Sequence, residues 1–153
     1  MRPIRPQRPP APPELQSEWD RLLAVMPETV RMAVTSELWN LEWLHELVLP
    51  VRDIAIGEVA WLFDVPLWAV GGEPFRVTPN EVRTRPRRFM EQFERTMASD
   101  LAWPIHIMRF RGRWIVLDGV HRLLKADMTG KRTVRAMALS EDDYANILFP
   151  PSG

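Results

Sequence analysis

From Glu14 onward the apolar positions recur at helical spacing. Leu15, Trp19, Leu22, Leu23 and Met26 share one face of ELQSEWDRLLAVM, and Pro27 closes the run. A second helical pattern follows in PETVRMAVTSELWNLEWLHELVLP, where Val30, Val34, Leu38, Trp39, Trp43 and Leu47 fall at steps of mostly three or four until Pro50. Its tryptophans are expected in a core or an interface. Between 51 and 70 the pattern is mixed, with a short helix expected over 57–63 and an extended piece over 66–70 before the turn at Gly71 and Gly72.

The second half is more regular. Thr78 with Pro79, and Thr84 with Pro86, read as helix starts, followed by Phe89, Phe93 and Met97 at i, i+4 and i+8. WPIHIMRF reads as a strand, RGR as a tight turn and RWIVLDG as the antiparallel partner. Val120, Leu123, Leu124 and Met128 then define a helix that Gly130 ends, and RTVRAMAL gives a further strand. The expected fold is α/β, with a proline-rich disordered arm over 1–13, a tryptophan-rich helical extension over 14–70 and a mixed-sheet domain over 71–153. Arg2, Arg5 and Arg8 would align along one edge of a polyproline II helix in the arm.

Composition narrows the chemistry. With 153 residues the chain fits one folded unit with a real core, and its 20 basic and 20 acidic residues leave no net field to draw it onto DNA or an anionic membrane. The absence of cysteine excludes disulfides, thiolate metal sites and thiol nucleophiles. The first residues lack the apolar core of a signal peptide, and no apolar run approaches the ~20 residues of a membrane helix. A cytoplasmic protein is expected.

Reactive side chains concentrate at one point. Asp118 and Gly119 form a turn from strand into a helix whose first turn carries His121 and Arg122, with Lys125 one turn on from His121, these three all off the helix's apolar face. A helix N-terminus offers free N–H groups and partial positive charge, so a glycine permitting close approach, with Arg122 and His121, makes an anion site, most naturally for phosphate. Asp118 would hold Mg2+ between itself and phosphate oxygens, act as a base, or cap the helix. Spacing does not separate these roles. His45 and His106 are expected to be structural or exposed, since neither has a partner at metal spacing in the sequence. The Trp39 and Trp43 pair reads as packing, because no basic run interleaves it.

VLDGVHRLLKADMTGKRTVRAM resembles the phosphate-binding motif of the ParB/sulfiredoxin superfamily. Gly119, Arg122 and Ala126 match the ParB form, and Gly119, His121 and Arg122 the sulfiredoxin form, with Val120 at its cysteine. Asp118, Gly119, His121 and Arg122 match best the Asp-Gly-His-His-Arg of the superfamily's free-serine kinases. Upstream, RPRRF and WPIHIM resemble the ParB box and its following strand, so the similarity covers roughly residues 75–139, about half the chain. The resemblance implies a ParB/sulfiredoxin-like mixed sheet binding a nucleoside tri- or diphosphate (ATP, ADP or CTP) with Mg2+, and phosphoryl transfer to a small hydroxyl-bearing substrate or nucleotide hydrolysis. Gly119 and the helix start would cradle phosphates, with His121 and Arg122 neutralising charge. Arg87 and Arg88 would reach phosphates or form a solvated face. Glu81 lies where the kinase relatives carry an acidic residue and would be the base, although TPNE also spells a capping box with Thr78 at the N-cap, the favoured reading.

Departures from the relatives are informative. Lack of cysteine excludes sulfiredoxin chemistry, and only SEDDYANILFPPSG follows Leu139, so no helix-turn-helix readout of DNA is expected. Other readings stay open: a non-catalytic, nucleotide- or anion-responsive interaction module, a DNA-associated ParB-like protein, an inactive scaffold, and a homodimer through the tryptophan-rich helices.

Overall fold

In the computed structural model, which describes residues 8–151, the chain runs through α1 (Pro13–Val25), α2 (Glu28–Arg31), α3 (Leu41–Glu46), β1 (Val51–Ala55) and two tight 3-10 turns (Ile56–Glu58, Ala60–Asp64). There follow β2 (Trp68–Val70), β3 (Glu73–Val77), α4 (Pro79–Thr84), α5 (Met90–Ala98), β4 (Ile105–Phe110), β5 (Arg113–Asp118), α6 (Val120–Met128), β6 (Thr133–Leu139) and α7 (Glu141–Ala145). The fold is mixed α/β. Its central sheet has the order β1-β6-β4-β5, with β6 parallel to β4 and the other neighbours antiparallel, and β2 with β3 forms a separate hairpin.

The hairpin of β4 and β5 is the one its alternation predicts. Arg111 and Gly112 both take positive φ, the twist that a two-residue turn needs to join antiparallel strands. Alternation along β4 divides two apolar clusters. Ile105 and Ile107 join Val134 and Ala136 of β6 beneath Leu123 and Leu124 of α6. Met108 instead joins Ile115, Leu139, Leu44 of α3, Tyr144 and Ile147. His106 therefore shares the second face of β4 with Met108.

Three expectations need correction. The long helix predicted up to Pro50 is broken into α2 and α3, because the tail of the chain competes for its backbone and side chains. Asn40 N donates to Ile147 O (2.8 Å), Trp39 bridges to Leu148, and Tyr144 donates to the buried Thr35 hydroxyl (2.8 Å). Asn40 then caps α3 by accepting from Trp43 N. The second helix start at Thr84 is instead an end: Pro86 disfavours helical backbone at Arg85, which leaves α4 at φ −131°, and α5 begins only at Met90. Residues 14–70 are also not a helical extension, since they supply β1 to the central sheet and place Met26 and Val30 in the same cluster as Ile105. The boundary drawn after 70 falls in the turn between β2 and β3.

Most of the proline-rich arm, with Arg2 and Arg5, lies outside the described residues; Arg8 stacks on Trp43 at 4.2 Å. No helix among the described residues is long and apolar enough to cross a membrane.

Candidate active site at the turn from β5 into α6

The turn begins with a register change. Ile107 pairs with Val116 but His106 pairs with Asp118, so Leu117 is the extra residue of a β-bulge. Without it His106 would face Leu117; with it the carboxylate takes that place. Gly119 follows at φ +116°, and a Cβ there would lie 2.6 Å from Ile105 Cγ2. The close approach that requires glycine at this position is thus made by a core side chain. No side chain caps α6, so Asp118 is not the cap that the sequence allowed.

Asp118 is occupied differently. Its Oδ2 accepts from His45 Nε2 at 2.9 Å and from Arg122 Nη2 at 3.0 Å, and His106 Nδ1 stands 3.9 Å away. Burial opposes the charge, but the hydrogen bond from His45 and the Arg122 guanidinium more than offset it and hold the carboxyl below the usual range. His106 is 7% exposed, and its Nδ1 is buried with no hydrogen-bond partner. Burial lowers its pKa against the raising effect of Asp118. The two histidines set aside as lone residues therefore meet over the one carboxylate the motif supplies. Nothing local announces this, because α3, β4 and β5 contribute one group each.

His121 does not have the surroundings of a phosphate cation. Its ring stacks on Trp68, with centroids 4.1 Å apart and planes at 6°, and Nε2 lies 2.8 Å from Gln92 Oε1. Burial, with Arg95 adding repulsion, lowers its pKa to about 4, so the ring is neutral at pH 7. Lys125 is likewise committed: Nζ donates to Met97 O (2.9 Å) and Ser99 O (2.6 Å), closing the end of α5.

A pocket of about 370 Å³ opens at the start of α6, lined by Arg95, Ser99, Asp118, Gly119, His121 and Arg122 among others. Arg95, from the last turn of α5, was not anticipated; it comes beside the motif only because α5 packs on α6. Arg87 and Arg88 are exposed in the segment before α5 and do not line this pocket. Neither does Glu81, whose carboxylate accepts from Thr78 N (3.1 Å) while Thr78 Oγ1 accepts from Glu81 N (3.0 Å), a complete capping box. A larger cavity between α1 and the tail, about 730 Å³, shares no residue with the motif.

No family model, curated protein or solved structure matches the chain.

Proposed function

We propose that the chain is a nucleotide-binding α/β domain of ParB/sulfiredoxin type, with phosphoryl transfer to a small hydroxyl-bearing substrate, or nucleotide hydrolysis, as its activity. The observation that carries this reading is the pocket at the uncapped start of α6, flanked by Arg95 and Arg122. Unpaired N–H groups and two guanidiniums in one concavity favour phosphate oxygens. Asp118 is the carboxylate on its wall and would hold Mg2+ against those oxygens. The order of parts, strand, glycine turn, nine-residue helix and returning strand, agrees with the resemblance. His121 serves as a neutral hydrogen-bonding wall, and Arg95 joins Arg122 in balancing charge.

One observation favours the non-catalytic version, a nucleotide-responsive interaction module. Asp118 is already bound by His45 and Arg122, and Glu81 is held in its cap, so neither is a spare base at the pocket. The test is thermal stabilisation by ATP, ADP, CTP and GTP, with and without Mg2+. A nucleotide at about 100 times its Kd adds about 2.7 kcal/mol, several degrees of Tm. The shift should vanish in Arg95→Ala and Arg122→Ala. No shift with any nucleotide overturns the proposal; a shift without turnover selects the module.

A further inference from the structure

Two of the three histidines in the chain converge on a single carboxylate from separate elements. Leu44, fully buried, fixes α3 on the second apolar cluster and so fixes its neighbour His45 over the end of β5. His106 projects from β4, and the bulge at Leu117 turns Asp118 to face it. One potential ligand atom from each residue, a ring nitrogen or a carboxylate oxygen, lies within 4.8 Å of the other two. Metal–ligand bonds of about 2.0–2.2 Å put ligand atoms roughly 3–3.5 Å apart. His45 Nε2 and Asp118 Oδ2 stand at 2.9 Å, where an ion would replace the hydrogen bond and its proton, and His106 Nδ1 lies 3.9 Å from the same oxygen, so binding would draw the three atoms together by about an ångström.

His106 supplies the independent observation. Its Nδ1 is buried, 3.9 Å from Asp118 Oδ2 and without a hydrogen-bond partner, although folded proteins pair nearly all such atoms. An ion between the three groups would satisfy it. Arg122 also donates to Asp118, but a carboxylate has two oxygens and several lone pairs, so a guanidinium and an ion can share it. The guanidinium then orients the ligand, as partners of metal-binding side chains do.

We propose that His45, His106 and Asp118 bind one divalent transition-metal ion of the zinc, iron or manganese type. Two imidazoles and one carboxylate suit these ions, whereas Mg2+ prefers oxygen ligands and retained water. Three protein ligands leave coordination positions open, and the half-exposed side chain of His45 gives water or a substrate access to them. The site shares Asp118 with the nucleotide reading, but its two histidines lie outside that pocket and it needs no phosphate.

The experiment is titration of untagged, chelator-stripped protein with Co2+ alone, followed by visible absorption, with Zn2+ competition and equilibrium dialysis for stoichiometry. One equivalent should bind, Zn2+ should displace it, and excess Mg2+ should not. His45→Ala removes a half-exposed side chain without opening the core, and should weaken Co2+ more than the 10–100-fold typical of losing a ligand's hydrogen-bond partner. His106→Leu, with folding checked by circular dichroism, should do the same. No uptake by the wild type at millimolar Co2+ overturns the proposal, and so does equal affinity in His45→Ala. Neither titration contains nucleotide, so this result and that of the nucleotide test are separable.

Discussion

Gly119 meets two demands that no other residue satisfies together. Its φ of +116° is strained for any residue with a Cβ, and that Cβ would press on Ile105, which is fully buried and, being β-branched, has little freedom to swing aside. Gly119→Ala should therefore lose about 2–4 kcal/mol, the sum of backbone strain and overpacking. Urea unfolding measures it, and a loss below about 1 kcal/mol would mean that β4 yields at Ile105. The same residue shows how a correct signal can carry an incomplete reason. In the sequence the glycine marks close approach by a phosphate, while in the fold the approach is made by the core, and the positive φ launches α6 beside it.

Among the elements, α4 is held by the reciprocal bonds of Thr78 and Glu81. Thr78→Ala should cost about 1 kcal/mol. Glu81→Gln should leave stability within about 0.5 kcal/mol, since glutamine completes the box equally well, yet it would abolish turnover if Glu81 took a proton. Measuring both in one variant divides the two roles. Elements with such local signals were legible: α1, the start of α4, the β4–β5 hairpin, α6 and β6 all follow from caps, turns and periodicity. β1 was not, because only Ile54 of VRDIA is buried and no alternation stands out. The break between α2 and α3 was not, because its cause is the tail around 144–148. The site divides in the same way. Asp118, Gly119 and Arg122 lie within five consecutive positions and are readable, whereas His45, His106 and Arg95 reach the turn only through topology.

At the scale of the whole molecule, His121 ties three elements together, stacking on Trp68 of β2, bonding Gln92 of α5 and riding on α6; Gln92 also donates to Ala69 O. Its folded pKa of about 4 lies below the ordinary 6.5, so in this window the unfolded chain takes the proton first. The stability its neutral ring supports is fully present above about pH 6.5 and is lost as pH falls through about 4, about 3 kcal/mol in all. Urea midpoints at pH 7 and pH 4.5 should show the fall, and His121→Phe, which keeps a ring on Trp68, should lessen it; an unchanged pH dependence in that variant would assign the fall to other groups. Asp118 has a consequence of another kind. One oxygen is shared by an imidazole from α3 and a guanidinium from α6, so events on either side are thermodynamically linked. Were an anion to draw Arg122 off Asp118, that oxygen would become more negative toward a cation bound at His45 and His106. Reciprocity then requires the second occupant to strengthen the first by the same factor.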